Sequence, residues 1–312
     1  MTQVQTATIG RLGAAAIRKR RARGARDLIE ALLYLAPSLL LFAVFVFIPL
    51  ARTVYLSLFY TNPVGNPRGF AGLDHYVELA TSPAFHRSLL TTFQFALYTV
   101  PGGIVIALLL AVLANRRLRG INVFRTFFSS TIAVSLAVAA TIWALMLNPS
   151  IGLFNYLLGF IGVRGPAWLT DPSSALVSVS LVTIWATLGF NMIVLLAGLQ
   201  SIPEELYESA KIDGAAGLKI FRHITIPMLS PSLFFLLVVN IIHVFQAFTQ
   251  IHALTRGGPV DATNVLVYSI YLDAFVNFQF GFASAQALVL FTIILALTLV
   301  QFGVVERRVH YQ

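Results

Sequence analysis

Cysteine is absent from the 312-residue sequence, which removes disulfides, iron–sulfur clusters and thiol nucleophiles from consideration. Charge is scarce as well. Only 11% of residues are charged, against about a quarter in a soluble globular domain, so the chain falls outside that class. Lysine occurs only at Lys19, Lys211 and Lys219, and none sits in a Gly-x-x-x-x-Gly-Lys-Ser/Thr loop. The sequence therefore encodes no phosphate cradle of its own, and any ATP chemistry tied to this chain belongs to another polypeptide. No internal repeat or low-complexity linker marks a second domain.

What the sequence has in abundance is apolar length, with 58% of residues hydrophobic. Uncharged runs cover 31–51, 89–114, 126–147, 175–199, 228–254 and 281–305. Each reaches the roughly 20 apolar residues needed to cross a bilayer, and the longer ones are expected to tilt. Backbone amides in hydrocarbon must be satisfied within the segment, so the runs predict helices. The expected fold is an all-α integral membrane protein with six transmembrane helices. Two further apolar stretches, 151–163 and 262–272, are too short to span and read as interfacial or re-entrant pieces.

Six spans place both termini on one side. Of the 21 Lys and Arg residues, all but Arg52, Arg68, Arg87, Arg164 and Arg256 fall on the side of the termini. The positive-inside rule makes that side cytoplasmic. The expected layout is a basic cytoplasmic arm at 1–27, a first span with its outer loop at 28–87, a core at 88–305 and a cytoplasmic tail at 306–312. The arm, rich in Arg and leading directly into a span, reads as a topogenic, lipid-contacting segment rather than a nucleic-acid contact. The first run is too long for the core of a cleaved signal peptide and is expected to remain as an anchor. Asn62-Pro63, Gly65-Asn66-Pro67 and Gly69 predict irregular structure in the outer loop, with short surface helices near Asp74 to Leu79 and Phe85.

The informative inner loop is 200–227. Ser201, Pro203 and Glu204 form a helix-start pattern of the capping-box type. A short helix follows, with Leu206 and Ala210 on one face, and Asp213-Gly214 breaks it. A second helical piece carries Leu218, Phe221 and Ile224 on one side and Lys219, Arg222 and His223 elsewhere, with Pro227 expected to end it. Apolar and charged groups together on a bent cytoplasmic element predict a docking surface.

Glu208-Ser209-Ala210, three residues, Gly214, nine residues, then Ile224-Thr225-Ile226-Pro227 resembles the signature of bacterial ABC importer permeases. Ser209 departs from the central Ala of that signature and Ile226 from its Leu, each keeping size or apolar character. The resemblance implies a type I importer transmembrane domain in a bacterial cytoplasmic membrane. It implies that the loop is a coupling helix seated in a cleft of an ATPase dimer, with ATP and Mg bound by those partners. In that reading Glu208 makes polar contacts, Gly214 makes the turn and the apolar residues seat the helix, with Ser209, Ala210, Ile224 and Pro227 completing the coupling set. A second permease subunit and an extracytoplasmic solute-binding protein are the other implied partners. Thr255 to Thr263 resembles the glycine–proline loop of the carbohydrate-type permeases. Ser201-Ile-Pro203, Val238-Val-Asn240 and the tail 300–312 are similar to their glycerol-3-phosphate branch.

Inside the spans, Asn240, His243, Gln246 and Gln250 fall within about a third of a helix circumference at 100° per residue. Asn191 and Gln286 are expected to face them. Neutral amides donate and accept hydrogen bonds and so suit a hydroxyl-rich solute on a translocation pathway. The alternative is simple pairing between helices. No second ligand lies at metal spacing from His243. The spans carry no carboxylate or fixed cation, so an ion-coupled secondary transporter, the competing reading, lacks its usual apparatus.

Overall fold

A computed structural model describes residues 30–116 and 118–305, so the arm 1–27 and the tail 306–312 lie outside the described residues. The chain divides into two units, 1–55 and 56–312. Among the described residues, four helices are long and apolar enough to cross a membrane: α1 (Glu30–Leu56), α3 (Pro83–Ala114), α7 (Pro172–Gln200) and α13 (Phe280–Gly303). Two bent pairs bring the spans to six, namely α4 (Ile121–Ala133) with α5 (Leu136–Met146), and α9 (Leu218–Met228) with α10 (Ser230–Phe245). In the first unit, the apolar window of α1 has no buried residue.

The core of the second unit is built on α3 and α7. Both helices begin on strong caps. Ser82 Oγ accepts the amide of Phe85 ahead of Pro83, and Asp171 accepts the amide of Ser173 ahead of Pro172. Gly103, Ala107 and Ala111 follow one another at four-residue spacing and are all buried. That stripe of small residues lets the backbones approach, and it packs against Leu188, Met192 and Leu195 of α7.

Two of the expected spans are not single helices. The 126–147 run turns by 106° between α4 and α5, where Val134 and Ser135 adopt extended backbone angles. Gly189 of α7 touches this region closely. Its amide donates to Thr131 Oγ1 at 3.0 Å, and a β-carbon there would stand 2.9 Å from the Phe128 carbonyl oxygen. The 228–254 run is interrupted twice. A 65° bend separates α9 from α10, and α10 stops at Phe245, before a separate α11 (Thr249–Leu254). Pro231 explains the bend, because it has no amide to give the Pro227 carbonyl and its ring crowds that oxygen. Ser230 Oγ supplies the missing bond at 2.6 Å. Pro227 thus lies inside α9 rather than ending it.

The outer loop is more regular than its Asn, Pro and Gly content suggests. Strands β1 (Phe59–Thr61) and β2 (Pro67–Phe70) form an antiparallel hairpin. Asn62 Oδ1 organises its turn by accepting the amides of Val64 and Asn66 at 3.1 and 2.8 Å. Helix α2 (Asp74–Thr81) follows, and Phe85 belongs to the first turn of α3 rather than to a separate helix. The short apolar stretches form α6 (Leu153–Phe160) and α12 (Leu266–Val276). The orphan amide at the start of α12 is satisfied inside the core by Thr92 Oγ1 at 2.8 Å.

Candidate coupling surface and intramembrane site

The inner loop forms an elbow between α7 and α9. Helix α8 (Glu204–Ile212) starts on Pro203, with no side-chain cap. The capping box expected from Ser201 and Glu204 is therefore not made. Ser201 lies two residues before the cap position, and its hydroxyl turns back to the Gly198 carbonyl at 2.9 Å. The other end of the helix closes as anticipated. Gly214 is left-handed at φ +75, its amide donates to the Lys211 carbonyl, and Ala215 donates to the Ala210 carbonyl at 2.9 Å. That pair of bonds is a Schellman closure, which fixes the direction of the chain leaving α8. Gly217 makes a second reversal at φ +47, after which α9 begins.

Glu208, Ser209 and Gly214 are exposed on this elbow, while Ala210, Ile224 and Pro227 are half-buried. The apolar groups facing outward are Leu206, Ile212 and Leu218, the last two 86% and 79% exposed. Phe221 and Ile224, expected on the contact face, instead turn partly inward. Tyr207 was not singled out by sequence, yet its hydroxyl lies 3.4 Å from Thr225 Oγ1 and ties α8 to α9. Ile212 was missed as well, because its exposure depends on the bend at Gly214.

In the bilayer region a cavity of about 190 Å³ is lined by Asn240, His243, Gln246 and Gln250 together. Phe248 closes one wall. Helical periodicity brings together the first part of this set only. Gln246 and Phe248 belong to the break between α10 and α11, and Gln250 reaches the cavity through that break. Thr99, Thr183 and Thr187 also line it and were missed, since threonine passes unnoticed in an apolar run. Thr183 and Thr187 return their hydroxyl protons to carbonyls one turn back. Thr99 Oγ1 and Gln250 Oε1 are buried and have no protein partner among the described residues.

Asn191 and Asn240 pair with each other through both amides, at 3.0 and 3.3 Å. Gln286 does not face the cavity. Its Nε2 donates to Asp273 Oδ2 at 2.8 Å, which places it with α12 instead. Among the described residues, no cluster of three His, Asp or Glu side chains is placed to hold a metal.

Residues 87–311 match the sequence model of the family described as binding-protein-dependent transport system inner membrane component. The chain belongs to this family. Its curated relatives include the sn-glycerol-3-phosphate transport system permease protein UgpA of Brucella suis biovar 1 (strain 1330). That protein is 41% identical over 280 residues, covering 89% of this chain and 94% of its own length. The protein of the same name from Agrobacterium fabrum (strain C58 / ATCC 33970) is 39% identical over 280 residues, covering 89% of this chain and 95% of its own length. A solved bacterial ABC transporter involved in importing the acidic polysaccharide alginate superimposes with a TM-score of 0.79. It is 26% identical and covers 93% of this chain and 99% of its own. A second structure, of a bacterial alginate ABC transporter with its pentasaccharide-bound periplasmic protein, gives 0.77 at 26% identity, covering 88% and 93%. This inner membrane component is thus an ABC importer permease, and its bent spans and exposed elbow belong to a transmembrane domain of that kind.

Proposed function

We propose that this permease forms half of the pore of an ATP-driven importer that carries glycerol-3-phosphate or a related polyol or sugar. The carrying observation is the elbow: a Schellman-closed turn at Gly214 holds Glu208, Ile212 and Leu218 out from the membrane core. An ATPase dimer docked there, binding ATP and Mg, would transmit its closure through α8 to α7 and α9 as a rigid-body movement. The chain supplies no phosphate-binding loop and contributes positioning rather than hydrolysis. Its termini lie in the cytoplasm, in keeping with the distribution of Lys and Arg.

The intramembrane cavity suits a hydroxyl-rich guest. Gln246 and Gln250 offer both donors and acceptors, and His243 is its one titratable lining group among the described residues. The relatives named as sn-glycerol-3-phosphate permeases favour that solute, while the solved neighbours handle an acidic polysaccharide. The test is reconstitution with a second permease, ATPase and solute-binding protein, followed by uptake of labelled polyols, polyol phosphates and sugars. ATP-dependent uptake of one of these supports the reading. Uptake that follows an ion gradient and ignores ATP overturns it.

A further inference from the structure

A phosphate ester and a free polyol make different demands on the intramembrane cavity. Ionised phosphoryl oxygens accept hydrogen bonds only, whereas hydroxyls both donate and accept. The donors still free in the wall therefore decide where an anionic group can sit. Asn240 has none left, because its Nδ2 donates to Asn191 Oδ1 at 3.0 Å and to the Leu236 carbonyl at 2.8 Å. Thr183 and Thr187 have given their hydroxyl protons to the carbonyls of Val179 and Thr183. Thr99 Oγ1 is buried. Along α7 and at Asn240 the wall thus offers oxygen lone pairs, which repel an anion. His243 and Gln246 differ. Both line the cavity, both are exposed, and neither side chain makes a hydrogen bond among the described residues.

No Asp, Glu, Lys or Arg lines this cavity. His243 is therefore the one position in its wall, among the described residues, where a positive charge can form. An ionisable side chain within a span faces water or protein rather than lipid, and such residues mark the paths of substrates and ions. A neutral imidazole donates one N–H to a phosphoryl oxygen, and a ring carrying both protons adds the opposite charge. No carboxylate in the wall competes for the ring or repels the solute. Gln246, in the break that follows α10, suits a hydroxyl, since its amide both donates and accepts. We propose that His243 grips the phosphoryl group of a polyol phosphate, with Gln246 on a hydroxyl, and so makes the cavity select the ester over the free polyol. The inference rests on the importer function proposed above and adds to it the residue that reads the charge of the solute.

The test uses the complete importer in liposomes, with its solute-binding protein saturating so that capture outside the membrane does not limit the rate. Uptake of sn-glycerol-3-phosphate per ATP hydrolysed is the readout. Wild-type uptake that ignores ATP would refute the importer reading itself. ATP-driven uptake of neutral polyols that leaves the ester behind would overturn only the role of His243. His243→Gln is expected to lower ester uptake per ATP about tenfold, and His243→Arg, which restores a cation with several donors, to recover most of it. His243 is exposed, so neither substitution removes core packing. Equal uptake by His243→Gln and the wild type, or no recovery with Arg, would overturn the proposal. A second measurement does not depend on turnover. In an importer carrying isotopically labelled histidine, the imidazole resonance that disappears in His243→Gln should shift when sn-glycerol-3-phosphate is added and stay in place with glycerol. A resonance that ignores the ester, or that moves equally with glycerol, would overturn the proposal as well.

Discussion

Asn191 on α7 and Asn240 on α10 exchange two hydrogen bonds, with donor–acceptor distances of 3.0 and 3.3 Å, at positions 0% and 6% exposed. The Asn240 amide also donates to the Leu236 carbonyl, which fixes its orientation. The pair joins the two helices immediately beside the intramembrane cavity. One of its members, Asn240, lines that cavity, so the pair both holds the wall and exposes an edge of it.

Replacing either residue with Ala leaves the other amide buried without its partner. We expect Asn191→Ala and Asn240→Ala each to lower stability by about 1–2 kcal/mol. The double variant should lose less than the sum, with a coupling of about 0.6–1.7 kcal/mol. Unfolding of the purified permease in mixed micelles would measure all four corners of the cycle. Strictly additive losses would show that the bonds contribute nothing specific.

Gly189 tests the break in the 126–147 span. An added β-carbon would stand 2.6 Å from Thr131 Oγ1, 2.9 Å from the Phe128 carbonyl oxygen and 3.0 Å from that of Ser129. Two of those atoms are backbone and cannot rotate aside. Gly189→Ala should therefore cost about 1–3 kcal/mol, typical of overpacking, and shift the melting temperature accordingly. Gly159→Ala is the control, because a β-carbon there meets nothing within 4 Å. Equal melting temperatures for both variants would remove Gly189 from the set of positions that shape the break.

The elbow makes a functional prediction that stability measurements alone would miss. Gly214 has φ +75 and open space where a β-carbon would go, so a substitution there strains the backbone locally without colliding with the core. Gly214→Asp and Glu208→Lys should both yield a permease that inserts and assembles. Each should lose ATP-driven uptake, with ATPase affinity weakened about thirtyfold if the contact behaves as a docking hot spot of about 2 kcal/mol. Uptake and ATPase co-purification from the same preparation check this. Normal transport in both variants would count against the coupling role.

The membrane character and the elbow could be read from the sequence because each rests on a short-range rule. Uncharged runs of bilayer length marked all six spans, and Asp213-Gly214 marked the turn because only a residue without a β-carbon adopts that angle cheaply. The bends were hidden. Val134 and Ser135 look like any other pair in an apolar run, and the crowding at Gly189 joins residues far apart in sequence. Pro231 did carry a signal, since its ring falls four residues after Pro227, but hydropathy alone passes over it. Ser201 shows the opposite failure. Its spacing to Glu204 is correct for a cap, yet the helix begins two residues later, on Pro203. The intramembrane site was half visible: Asn240 and His243 follow from periodicity, whereas Gln246 and Gln250 arrive by a chain break and Gln286 is claimed by Asp273.

Asp171 supplies a pH-dependent prediction outside the membrane. Its carboxylate accepts the Ser173 amide at 2.9 Å and the Ser173 hydroxyl at 2.8 Å. These bonds, the amide first, favour the ionised form and lower its pKa below the ordinary value of 3.8. A carboxylate with a depressed folded-state pKa contributes its full stabilisation above 3.8 and loses it as the pH falls through the lower folded value. The start of α7 should therefore loosen only below about pH 4, when the cap is protonated. Asp171→Asn removes the titrating group while keeping an oxygen acceptor at the cap. Its melting temperature should change less steeply than that of the wild type between about pH 4 and pH 2. Hydrogen exchange at Ser173 to Ala175 should follow the same difference, and identical acid profiles for the two proteins would show that this cap does not carry the effect.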